Sequence, residues 1–218
     1  MTSAFPRTSP YPIVREVIGS GVGALVHPEW SERFPWLVQG TTTRTSGDGH
    51  PFDLGLFADR SDPDSARARW RTLREGVGAE RVVHAHQLHG AEVRVYQRRS
   101  QGTEDPHLVD ACDGHATVTP GVLLAVTTAD CVPVFLVDPA RRAVAAVHAG
   151  WRGAAAGVLE RGLEAMESSF ASRATDLHVH MGPAICGTCY EVGPEVFEAL
   201  DQAVPDRPTP IDLRRILA

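Results

Sequence analysis

Three apolar runs, residues 123–127, 132–137 and 143–148, crowd the centre of this chain, each as long as a strand. Asp138-Pro139-Ala140-Arg141-Arg142 separates the last two and reads as a turn, so those two runs are expected to pair as neighbours. That pairing puts Cys131, just before one strand, and His148, at the end of the other, at one end of a sheet. After Gly153 the period changes. Val158, Leu159, Gly162, Met166 and Phe170 form a helical stripe.

The flanks mix both periods. Asp62-Pro63 opens a helix carrying Ala66, Trp70, Leu73 and Val77 inward, weakened by Gly76 and Gly78. Residues 37–40 run into Thr41-Thr42-Thr43-Arg44 as a strand end, and residues 46–51 form a loop. Residues 177–181 read as a strand. Gly193-Pro194 starts a last helix with Val196, Phe197 and Leu200 inward, ending near Pro205. Strands and helices without regular βαβ alternation give an α/β or α+β class with a mixed sheet, and not a Rossmann fold.

The 218 residues are long enough to bury a core without disulfides. A single domain over 13–218 is expected behind a loose arm, 1–12, that holds Pro6, Pro10 and Pro12. The net charge of −6 and the absence of a Lys/Arg run leave no footprint for nucleic acid. No apolar run approaches a membrane span, and the first residues lack a signal-peptide pattern. A cytoplasmic protein is therefore expected, with its four cysteines reduced.

Four segments carry chemistry: His86-Gln87-Leu88-His89-Gly90, Thr128-Ala129-Asp130-Cys131-Val132-Pro133, His148-Ala149-Gly150-Trp151-Arg152-Gly153, and residues 182–193 with Cys186 and Cys189. Cys131 alone reads as a core cysteine. Beside Asp130 and opposite His148 it suits a thiolate–imidazole pair or two metal ligands. His89 adds a third donor. One cysteine and two histidines leave a fourth position open, the pattern of catalytic rather than structural Zn²⁺. Gly150 and Gly153 let backbone approach a ligand, and Arg152 at a helix start suggests an anion site. The C-x-x-C at 186–189 has no second copy, so a Cys₄ site is not expected. His84/His86 and His178/His180 are too few for a multicopper cluster.

The Gln-x-His-Gly, Ala-Asp-Cys-x-Pro and His-Ala-Gly-Trp-Arg-Gly motifs, in this order, resemble the laccase-like multicopper polyphenol oxidases, also described as bacterial purine nucleoside phosphorylases of the YfiH type. The resemblance runs from about Gly40 to Leu217. It implies a four-layer α/β/β/α sandwich, related to bacterial toxin deamidases, with His89, Cys131 and His148 as metal-binding and catalytic residues. It implies contacts to substrate or phosphate from Arg44, in Thr43-Arg44-Thr45-Ser46-Gly47, from Arg152, from Asp113 at the head of Asp113-Gly114-His115-Ala116-Thr117-Val118-Thr119, and from Asp130. The implied reaction is phosphorolysis of adenosine, inosine and methylthioadenosine, with adenosine deamination as a further activity and Zn²⁺ as cofactor; the sequence does not fix the oligomeric state, and a monomer is favoured. Copper-dependent phenol oxidation (Cu²⁺) and a metal-free Cys131–His148 hydrolase are the alternatives. Ser46 and Asp53 depart from the family pattern. The chain also ends at Asp212-Leu213-Arg214-Arg215-Ile216-Leu217-Ala218, short of the usual last helix and strand.

Overall fold

A computed structural model describes residues 14–18 (backbone only), 22–46, 49–57, 62–97 and 106–203. The arm at 1–12, Gly47 and the end at 212–218 lie outside the described residues. In chain order the elements are β1 Val14–Ile18, β2 Val22–Val26, α1 Pro28–Arg33, β3 Thr41–Thr42, α2 Pro63–Gly76, β4 Arg81–Ala85, β5 Val93–Tyr96 and β6 His107–Val109. There follow β7 Gly114–Thr117, β8 Val122–Leu124, β9 Val132–Asp138, β10 Ala143–Ala149, α3 Trp151–Ala155, α4 Val158–Phe170, β11 His178–Met181 and α5 Pro194–Ala203.

The hairpin β9–β10 is the spine of the molecule. Its turn closes because the buried Asp138 carboxylate accepts the amides of Ala140 and Arg141, each at 3.0 Å, and pairs with the Arg141 guanidinium at 3.1 Å. Arg142 then takes the left-handed conformation (φ 51°) that turns the chain back. The hairpin lies inside a five-stranded sheet ordered β11-β9-β10-β7-β5, antiparallel except for β5 and β7. A second sheet, β6-β4-β8, is wholly parallel, and a third, β1-β2-β3, is antiparallel.

Alternation along the hairpin decides which layer covers which face. Val134, Leu136, Ala145 and Val147 meet Val158 and Met166 of α4. A side chain at Gly162 would sit 3.2 Å from Val147 Cγ2, so glycine lets α4 lie close on the sheet. Leu159, expected inside, is 36% exposed, and Leu163 packs inward instead. The alternate residues Phe135, Val137 and Val144 face Trp30 and Phe34.

Helix α2 starts where Asp62 accepts the Ser65 amide, with Pro63 preset for the first turn. Its Trp70 and Leu73 pack with Val22, Phe52 and Val82 on the far side of β4. The layer order is thus helix, sheet, sheet, helix. The run at 123–127 is only partly strand: β8 stops at Leu124 and belongs to the second sheet. Residues 37–40 likewise give only the two-residue β3 that follows them. Among the described residues, no helix is long and apolar enough to cross a membrane.

Candidate functional site

Four chain segments converge where β9 begins and β10 ends. The register pairs His148 with Pro133 and Ala149 with Val132, so Cys131 emerges beside His148. The start of β7 lies next to both, because Val147 pairs with Gly114 and the His148 amide donates to the Asp113 carbonyl at 2.7 Å. The loop between β4 and β5 brings His89 over this corner.

Three donor atoms, one each from His89, Cys131 and His148, lie within 4.8 Å of one another. Among the described residues this is the one such group of three or more His, Cys, Asp or Glu. His148 is buried, Cys131 half-buried and His89 exposed. The two imidazoles meet edge to face, with centroids 4.8 Å apart.

Asp113 organises the corner from beneath. Its carboxylate accepts the backbone N–H groups of Leu88, His89 and Gly90 at 3.2, 2.9 and 2.8 Å. It also meets His148 Nδ1 at 2.9 Å. That bond fixes the ring and leaves Nε2 as the ligand atom, the carboxylate–histidine arrangement common behind metals. The three amides hold the loop in a shape in which His89 itself adopts φ 59°, the left-handed region. With 1% of its surface exposed, Asp113 faces the two histidines rather than a bound substrate.

The glycines of His148-Ala149-Gly150-Trp151-Arg152-Gly153 have a different purpose from the one their sequence suggests. A side chain at Gly150 would meet His89 Cδ2 at 2.7 Å and Cys131 Sγ at 3.1 Å. One at Gly153 would meet the Gly90 carbonyl at 2.7 Å. They admit the His89 loop to the corner. Gln87 does the same for the segment entering Cys131: its amide spans Thr127, donating to the carbonyl at 2.8 Å and accepting the N–H at 2.7 Å. The sequence marks Gln87 through the Gln-x-His-Gly motif but assigns it no role. Its fixed place two residues before His89 was the available signal.

Burial lowers the His148 pKa, opposed by the Asp113 bond and reinforced by His89, so the neutral, ligating form is favoured. Burial, then Asp130, then Asp113 raise the Cys131 thiol. That is the reverse of an activated nucleophile, and it is what a bound cation would overcome by holding the thiolate. Two imidazole nitrogens, a sulfur and a carboxylate behind one ring are a donor set that fits a metal ion.

The other expected residues are exposed. Asp130 is exposed, and its carbonyl accepts the Ile185 amide at 3.0 Å, tying down the loop after β11. Arg152 is exposed, with its guanidinium 4.2 Å from the centroid of the Trp151 ring. Helix α3 has five residues, too short to act as an anion-binding dipole. Arg44 is exposed just beyond β3. A side chain at Gly182 would meet Pro133 Cγ at 2.9 Å and Thr41 Oγ1 at 3.1 Å, which places β3 against this same loop. His84 stacks near Trp70 and His86 on Phe57, while His178 and His180 pack among Phe34, Trp30 and Phe135. A cavity of about 350 Å³ lined by Trp30, Trp36, Leu123 and Arg142 lies between the sheets at the far end of the hairpin.

The chain resembles known proteins over most of its length. Residues 38–215 match the multi-copper polyphenol oxidoreductase laccase family. A purine nucleoside phosphorylase of Mycobacterium tuberculosis is 39% identical over 171 residues, covering 76% of this chain and 66% of the relative. The purine nucleoside phosphorylase YfiH of Escherichia coli is 36% identical over 179 residues, covering 80% and 69%. The crystal structure of YlmD from Geobacillus stearothermophilus superposes with TM-score 0.79 at 30% identity, covering 92% of this chain and 76% of that one. The chain thus spans about two thirds of the length of its mycobacterial relative. With the motifs, the corner they build and the match over 38–215 in agreement, this chain belongs to the multi-copper polyphenol oxidoreductase laccase family.

Proposed function

We propose that the chain is a purine nucleoside phosphorylase that cleaves adenosine, inosine and methylthioadenosine at the His89–Cys131–His148 corner. The observation that carries this reading is the three-donor cluster backed by Asp113. Relatives bearing the phosphorylase name support it. In this reaction a phosphate oxygen attacks C1′ of the ribose, the bond from C1′ to the base nitrogen breaks, and the base leaves with a proton.

His89, Cys131 and His148 would hold one zinc ion. A divalent ion held there would supply Lewis acidity. Arg44 and Arg152, both exposed, would supply cations for phosphate, and the planar guanidinium suits its oxygens. Asp130, exposed beside Cys131, is the group available to accept or return a proton or to bind a ribose hydroxyl. Asp113 positions the two histidines. Deamination of adenosine at the same corner would instead bring C6 of the base to the site, where water adds and the exocyclic nitrogen leaves as ammonia.

The two His-x-His pairs, packed among aromatic rings, offer no further ligand group to a multicopper oxidase among the described residues. The test is adenosine turnover by zinc-loaded protein with and without phosphate. Adenine and ribose 1-phosphate that appear only with phosphate are the expected products. Inosine formed without phosphate would mean deamination, and no product from any nucleoside would overturn the proposal.

A further inference from the structure

Cys186 and Cys189 take no part in the chemistry above. They bracket a turn between β11 and α5 in which the Cys189 N–H donates to the Cys186 carbonyl at 2.9 Å. Such an i to i+3 closure keeps the two Cα atoms within about 7 Å, the separation a disulfide spans. Both side chains are exposed, and space around Gly187 is open. Cys186 Sγ lies 3.1 Å from Thr188 Oγ1.

The two sulfurs are not equivalent. Hydrogen bonds from Thr188 and then Cys189 bring the Cys186 thiol down to about 7. The bond to Cys186 pushes Cys189 the other way. The other two cysteines are less accessible: Cys112 is buried and pushed up to about 11 by its burial, and Cys131 is half-buried. One exposed sulfur is thus prepared to attack and its neighbour to resolve.

The turn also sits against the corner already described. Its leading segment is pinned to the start of β9 by the Gly182 amide on the Pro133 carbonyl at 2.8 Å and the Ile185 amide on the Asp130 carbonyl at 3.0 Å. Tyr190 follows directly, with its phenol within electrostatic reach of Cys131, Asp130 and Arg152.

We propose that Cys186 and Cys189 form a reversible dithiol–disulfide couple on the rim of the His89–Cys131–His148 corner, exchanging with small-molecule disulfides. The Cys186 thiolate attacks one sulfur of the small disulfide. A new S–S bond forms at Cys186, and one small thiolate leaves and takes a proton from solvent. Cys189 gives its proton to solvent and attacks Cys186 Sγ, expelling the second small thiolate. The protein loses two hydrogens and the small disulfide is reduced to two thiols. The turn is then locked one residue before Tyr190.

This couple is independent of which nucleoside the corner accepts. The test treats the full chain with oxidised glutathione near neutral pH, quenches with acid, and reads intact mass and peptide map. Wild type should lose two hydrogens, carry a 186–189 disulfide, and return to the dithiol with dithiothreitol. Cys189→Ser should stall with one glutathionyl group on Cys186, and Cys186→Ser should react about tenfold more slowly or less. Both positions are exposed, so unchanged thermal melts are expected for the two variants. Modification of Cys112 or Cys131 ahead of Cys186, a Cys186→Ser variant reacting at the wild-type rate, or a wild-type mixed disulfide that never resolves would each overturn the proposal.

Discussion

Two places in this molecule bring a pair of imidazoles together edge to face with centroids 4.8 Å apart: His89 with His148, and His27 with His180. The ring geometry is nearly the same, and the surroundings differ. Behind His148 stands a buried carboxylate, beside it a cysteine, and across from it a glycine that leaves room for His89. Around His180 stand Trp30 and Phe135, and His27 Nδ1 is buried without a hydrogen-bond partner. The contrast teaches that a histidine pair becomes a candidate ligand set through what its second nitrogens and neighbours supply. A pair closed in by aromatic faces is packing.

The largest effect should separate the two pairs outright. His148→Ala is expected to abolish stoichiometric zinc and reduce turnover to background, while His180→Ala keeps both, as metal analysis of the purified proteins will read. A His180→Ala protein that lost its zinc would break the comparison.

A third histidine sharpens it. His115 is fully buried beside Asp113, with Tyr96 Oη 2.9 Å from its Nδ1 and no partner on Nε2. Burial first, then His84 and Arg94, bring its pKa down to about 3. The folded state refuses a proton that the unfolded chain takes near 6.5. Stability from this group is therefore complete above that value and is lost as pH falls from 6.5 towards 3. Between pH 6.5 and 4 the loss should be about 3 kcal/mol, visible as a falling urea midpoint. A His115→Gln variant with the same pH slope would contradict the assignment.

Asp113→Asn should come next. An amide cannot accept three backbone N–H groups and the His148 ring equally, so metal affinity should fall about 10- to 100-fold by competition with a chelator. Smallest of all, His180→Phe should shift stability by no more than about 1.5 kcal/mol in thermal or urea unfolding, because one aromatic ring replaces another.

The hairpin was legible because both its strands and its turn are local signals: two apolar runs joined by Asp138-Pro139. The meeting of Cys131 with His148 followed from that pairing alone. The placement of β8 was not legible, since its parallel partner β4 lies some forty residues upstream and no local residue type announces a parallel neighbour. Asp113 is the sharper case. Ahead of a glycine it reads as an exposed contact, and only the return of β10 and the His89 loop surrounds it with donors. Gly150 and Gly153 were legible as sites of close approach, but the approaching group, His89 with Gly90, comes from a segment some sixty residues earlier.

The most direct test compares adenine release from adenosine in phosphate buffer by the zinc-loaded wild type and by His89→Ala, with products separated by chromatography. His89 is exposed, so the variant should keep the fold by circular dichroism. Phosphate-dependent adenine from wild type, and none above background from the variant, is the predicted result. Equal rates from the two proteins would contradict the assignment of the reaction to this corner.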